Sequence, residues 1–329
     1  MELMATASKP TTSQPVMLTG QAELMALQKT QKHTGETPTM LATALSAQRL
    51  AAPLAQAPAA AIPVVQDDLK YTPLLPDTAD DVAVIIENAS YKESSIPHNS
   101  AAAHDAQFFK RFAIEGLGIQ ARNIIYLKNA TKAELLKVFG SERRHEGQLS
   151  DWIRPGKSRI YVYYAGHGAP SEESDAFLIP SDADSTYLEL NGYPVSTLFK
   201  NISMLNAKHA TVVLESCFSG VSQVGSVISQ ASPLFLKPKK TVAPKNVTVV
   251  SASQIHQIAS WEKSEPRSLF TKYFLKAMSG EADRPPHGNA DGQVSETELS
   301  QYLGDTLSYW ARRYYGREQR AQIQNWELK

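Results

Sequence analysis

The sequence predicts an α/β domain, a mostly parallel β-sheet with helices on both faces, preceded by a non-globular arm. Three observations carry this. From Asp81 onward, runs rich in Val, Ile and Tyr alternate with windows that carry apolar residues at helical spacing. Two of those strand-like runs end abruptly in small-residue turns that bear a histidine and a cysteine. Residues 1–70 contain no Phe, Tyr or Trp, and Ala51 to Val65 is Ala/Pro-rich, so this stretch cannot bury enough surface to offset its ordering entropy.

The elements follow in order. Gln21 to Lys29 is the one short helical stretch expected in the arm, and the division is placed at residue 75, with residues 1–75 as the arm and 76–329 as the domain. The arm reads as a tether or a regulatory pro-segment. Strands are expected at 82–86, 123–127, 159–165, 210–215 and 246–251, each β-branched or aromatic in character. Helices are expected at 100–116, 131–140, 195–204, 268–279 and 295–315. The last shows an apolar stripe at Leu299, Leu303, Leu307, Trp310 and Tyr314.

Composition narrows the class. The formal net charge is zero, which leaves no electrostatic footprint for nucleic acid or an anionic membrane. No apolar stretch approaches membrane-spanning length and the N-terminus lacks a signal core, so a cytoplasmic enzyme is expected. A single cysteine excludes an intrachain disulfide framework and a thiolate zinc site.

That cysteine, Cys217, lies in Thr-Val-Val-Leu-Glu-Ser-Cys-Phe-Ser-Gly, where a buried strand breaks into a turn. His167 ends a second such strand, Arg-Ile-Tyr-Val-Tyr-Tyr-Ala-Gly-His-Gly, fifty residues earlier. In an open parallel sheet, functional groups collect beyond the carboxyl ends of the strands, so adjacent strands would bring the two together. A thiol needs a base because the thiolate is the nucleophile. His167 would take the proton and later protonate the leaving amine. Gly166 and Gly168 allow close backbone approach, and the N–H groups of Gly168 and Cys217 are candidate donors for an oxyanion hole.

Tyr-Ala-Gly-His-Gly followed by Glu-Ser-Cys-Phe-Ser-Gly resembles the catalytic pair of the caspase and metacaspase superfamily of cysteine peptidases, and the histidine-to-cysteine spacing is one already known for caspases. The resemblance spans roughly residues 80–312 and implies a caspase-like three-layer sandwich that hydrolyses peptide bonds through an acyl-thioester. It also implies a substrate pocket. Caspases carry glutamine two residues before the nucleophile, whereas metacaspases, which cut after Arg or Lys, carry aspartate there and another acidic residue at the start of the first helix. Glu215 and Asp105 stand at those two places, so a basic P1 residue is expected. Ala102, Ala165 and Phe218 depart from the usual metacaspase Cys, Ser and His.

Further expectations follow. The Pro/Lys-rich stretch 221–246 reads as an exposed loop, with Lys239, Lys240 and Lys245 as candidate self-cleavage sites. His287 to Glu298 echoes a calcium-binding loop at Asn289, Asp291, Gly292 and Glu298. The histidine in first position is a poor ligand for a hard cation, so a turn followed by a Ser295/Glu298 helix cap is expected, with no metal site. No cofactor is required by this chemistry; calcium activation, known among metacaspases, is not readable here. The partners are protein or peptide substrates, with nucleic acid and membrane excluded. A catalytically inactive binding module on the same fold, and an acyltransferase using the same dyad, are the alternative readings.

Overall fold

The structure, a computed structural model, describes residues 68–171, 176–219, 221–222, 225–226, 241–254 and 257–327. Its centre is a six-stranded sheet formed by β1 (Val82–Glu87), β2 (Ile124–Lys128), β3 (Arg159–Ala165), β7 (His209–Glu215), β10 (Val247–Ser251) and β11 (Gln322–Gln324). The order across the sheet is β2-β1-β3-β7-β10-β11. The first five strands run parallel and only β11 is antiparallel, at the edge beyond β10. Strands β1, β3, β7 and β10 are buried along their whole length, as apolar strands covered on both faces should be.

The period-2 alternation within each strand assigns its side chains to two cores. Ala83, Ile85, Tyr163 and Val213 point to one face, where they meet Phe109 and Phe112 of α1 (Ser100–Glu115), Leu269 and Phe274 of α6 (Leu269–Lys276), and Leu299, Leu303 and Leu307 of α7 (Glu296–Tyr315). Val82, Val84, Ile86, Val162 and Val212 point to the other, against Leu135 and Phe139 of α2 (Lys132–Phe139) and Leu198 and Ile202 of α5 (Val195–Ser203). Each such Val, Leu, Ile or Phe side chain, fully removed from water, stabilises the fold by about 1.5–3 kcal/mol, and the three layers follow from filling both faces.

Strands and helices stand where the hydrophobic periodicity placed them, within a few residues, except that the helix expected over 268–279 is regular only to Lys276. There it passes into a π-helical segment, Ala277–Glu281, in which Gly280 has φ 101°. Shorter elements carried too little periodicity to be expected: α3 (Gln148–Trp152), α4 (Leu188–Asn191), β11, and the small antiparallel sheet of β4 (Gly168–Pro170), β5 (Ala176–Leu178) and β6 (Tyr193–Pro194). A two-residue pair, β8 (Val221–Ser222) and β9 (Gly225–Ser226), follows the cysteine turn.

Packed chain begins before the division expected at residue 75. Leu69, Tyr71, Leu74 and Leu75 lie against the α1 core, Leu74 donates its N–H to Gly116 at 2.9 Å, and Arg111 reaches back to the Leu69 carbonyl at 2.8 Å. The expected helix at Gln21 to Lys29 lies outside the described residues.

Candidate active site

Strands β3 and β7 are neighbours in register, with Ala165 opposite Glu215 and the N–H of Gly166 bonded to the Glu215 carbonyl at 3.2 Å. His167 and Cys217 are each the second residue beyond that last pair, so one sheet edge delivers both. Their turns also touch. A Cβ placed on Gly168 would lie 2.6 Å from both Ser216 Oγ and the Phe218 ring, so glycine is what lets the histidine turn close on the residues flanking Cys217.

His167 is buried and held on several sides. Its Nε2 lies 2.7 Å from the carbonyl oxygen of Pro97. A carbonyl only accepts, so Nε2 carries the proton and Nδ1 keeps its lone pair. The Tyr91 ring stacks on the imidazole at a centroid distance of 5.0 Å, the His167 N–H donates to the Tyr91 hydroxyl at 2.8 Å, and the Tyr164 hydroxyl donates to the His167 carbonyl at 2.7 Å. Burial lowers the His167 pKa to about 4, with the bond to Pro97 opposing it, so the ring is neutral at pH 7.

Cys217 is partly exposed, and its Sγ accepts the N–H of Ala259 at 2.7 Å. Burial pushes the thiol up to about 12; the Ala259 N–H and the charge of Arg317 oppose that rise and Glu215 adds to it. Both shifts favour the neutral forms, a thiol at Cys217 and a neutral imidazole at His167.

The family model described as the caspase domain matches residues 80–323. The chain belongs to the caspase-domain family. It is thus a member of a superfamily of cysteine peptidases, and protein or peptide substrates follow at that level. The crystal structure of caspase-1 from Spodoptera frugiperda is similar over 79% of this chain and 93% of its own, at 11% identity and a TM-score of 0.49. No curated protein sequence matches the chain.

Beside the cysteine, this caspase-domain chain holds a buried polar cluster. Asp105 is fully enclosed, and both its oxygens accept the N–H of Ser268, at 3.1 and 3.2 Å. It stands in the second turn of α1 rather than at the helix start expected from sequence, and the Asn99 side chain caps that helix instead. Glu215 closes β7 as a buried carboxyl beside Ser268 and Thr271 at the N-terminal end of α6, with Oε2 lacking a partner. Burial raises Asp105 to about 7, the positive charge of Arg267 opposing it, and burial plus the charge of Asp105 hold Glu215 well above the ordinary carboxylate range. The two sequence-predicted pocket acids are therefore electrostatic neighbours.

Several groups here escaped the sequence reading: Pro97 and Tyr91, which orient His167; Ala259 and Arg317, which flank Cys217; and Arg267. Pro97 and Ala259 act through backbone atoms and carry no side-chain signal. Arg267 precedes Ser268, the N-cap of α6, and that helix start was legible; the direction of the arginine was not.

The remaining expected sites lie elsewhere. Lys245 is exposed in the turn before β10, closed by the Val247 N–H on the Pro244 carbonyl, while Lys239 and Lys240 fall outside the described residues. Ser295 and Glu298 form the capping box of α7, and the Glu298 oxygens accept from Ser295 and Asn289. Asp283 accepts the N–H groups of Asp291 and Gly292, so the acidic side chains of this loop are engaged by its own amides. Among the described residues no helix is long and apolar enough to cross a membrane.

Proposed function

We propose that the chain is a cysteine endopeptidase working through a Cys217/His167 dyad, with preference for Arg or Lys at P1. The observation that carries this is the paired strand ends, which offer a histidine with Nε2 tied to Pro97 and Nδ1 free beside the turn that bears the only cysteine. Cys217 Sγ attacks the scissile carbonyl carbon while its proton passes to His167 Nδ1. The N–H groups of Gly168 and Cys217 receive the oxyanion, the C–N bond breaks, and the proton leaves on the amine. Water, deprotonated by His167, then hydrolyses the thioester. Asp105, the more readily ionised of the two acids, supplies the negative charge for a basic P1 side chain and Glu215 an acceptor oxygen, and Lys239, Lys240 and the exposed Lys245 become self-cleavage sites under the same preference.

Labelling tests the dyad without knowledge of the natural substrate. A peptidyl chloromethyl ketone with P1 arginine should alkylate Cys217 stoichiometrically, with the rate reduced roughly a hundredfold or more in His167→Ala. Equal labelling rates in both proteins would remove His167 from the mechanism. Intact mass over time should show shortening in the wild type and a constant full length in Cys217→Ala.

A further inference from the structure

Arg267 is a buried cation that the proposed reaction does not use. It lies in the short turn 262–267, clamped between the bridge-paired Trp261 and Ser268 and closed by the Glu262 N–H on the Arg267 carbonyl at 2.8 Å. The two acids of that turn, Glu262 and Glu265, are both engaged by Lys272 at 2.7 Å. Arg267 instead turns inward. Its guanidinium carbon sits 3.8 Å from the ring centroid of Phe108, one turn along α1 from Asp105, and the next residue, Ser268, donates to the Asp105 carboxylate. Its Nε and Nη2 are buried and have no hydrogen-bond partner. The guanidinium is therefore held in the pocket by charge and by an aromatic face, without the forked hydrogen bonds it is built to make.

The charge balance gives this a consequence. Burial and the charge of Asp105 push Glu215 toward its neutral form, and burial raises Asp105 to about 7, so the negative charge facing Arg267 is reduced. A second cation entering beside Arg267 would leave uncompensated positive charge in a desolvated space. Glu215 Oε2 and the unpartnered Nε and Nη2 of Arg267 are what a rearranged pocket could use.

We propose that Arg267 is the resident cation of the P1 pocket, standing where a basic substrate side chain would lie, and that substrate must displace it to bind. This rests on reading the acidic cluster as the P1 site. Displacement is feasible because no hydrogen bond from the Arg267 side chain to the acids has to break. Its cost appears as an apparent Kd raised by the reciprocal of the fraction of time the pocket stands open.

Benzamidine, a bare P1-like cation, separates this inference from the reading beneath it. In the full-length chain, thermal-shift titration should show benzamidine binding roughly tenfold tighter in Arg267→Ala than in wild type. KM for a P1-arginine peptide should fall by a similar factor, and a P1-alanine peptide should not gain. Arg267→Met, which keeps the stem over Phe108, serves as the second variant and should behave in the same way. Equal benzamidine affinity in wild type and both variants, with binding lost in the Asp105→Asn/Glu215→Gln double variant, overturns the inference and leaves the basic P1 reading standing. Absence of benzamidine binding in every protein, or a wild-type preference for P1 aspartate that disappears in Arg267→Ala, overturns both.

Discussion

His167 and Asp105 are displaced in opposite directions by the same cause, removal from water. The imidazole falls to about 4 and the carboxyl rises to about 7. A neutral His167 is available at any pH above about 5, so in the proposed dyad the base should not limit activity near neutrality. In the proposed P1 pocket Asp105 should: below about pH 7 it is neutral and would attract a basic P1 side chain less. For a P1-arginine peptide, kcat/KM should rise through a limb centred near pH 7. In Asp105→Asn that limb should disappear and the value at pH 8 should drop roughly tenfold or more. A P1-alanine peptide should lack the limb, and finding it there would assign the titration to another group. Stability runs the other way. Because the folded pKa of Asp105 is raised, its contribution is present below about pH 4 and is lost as pH rises through 7. The depressed pKa of His167 contributes above about pH 6.5, and that is lost as pH falls toward 4. Asp105 is thus most useful where it stabilises the fold least.

At the opposite ends of the same strands, another buried Asp–Arg pair shows what a fully engaged arrangement looks like. Asp81, just before β1, accepts the Arg159 N–H at 2.9 Å and its Nε at 2.8 Å, while Arg159 Nη2 reaches the carbonyls of Pro76 and Asp77 at 2.9 and 3.1 Å. That network ties β1 to β3 and anchors the segment leading into the sheet. Asp81→Ala leaves the Arg159 charge buried and should cost about 3–5 kcal/mol, read as a lowered midpoint in urea. A loss under about 1 kcal/mol would mean that the network is not structural. At the functional ends, Asn88 plays the corresponding part: its amide joins the Ala130 N–H at 2.7 Å and the Ile179 carbonyl at 2.9 Å, bracing the turns that frame His167. The contrast with Arg267 is informative, because one arginine has its fork satisfied and the other does not.

For the molecule as a whole, the parallel core was legible because strands such as Val82–Glu87 and His209–Glu215 are apolar and helix windows such as Glu296–Tyr315 carry a stripe. The adjacency of the turns bearing His167 and Cys217 was legible for a related reason, since both residues follow the ends of such strands and their small-residue turns mark the sheet edge. What escaped depends on chain segments far apart in sequence. The Pro97 carbonyl meets His167 across seventy residues and the Ser268 amide meets Asp105 across 163, and neither contact leaves a periodic trace. The depth of Asp105 and the inward course of Arg267 follow from how the 261–268 turn folds against α1, which local propensity does not encode. One cysteine and one histidine on adjacent strand ends are proposed to hydrolyse peptides beside an acidic cluster. The most direct test is kcat/KM on fluorogenic peptides differing only at P1 (Arg, Lys, Asp, Ala), for wild type, Cys217→Ala and His167→Ala. Turnover of the Arg and Lys peptides is expected, reduced roughly a thousandfold or more in each variant. Turnover that survives in Cys217→Ala would contradict it.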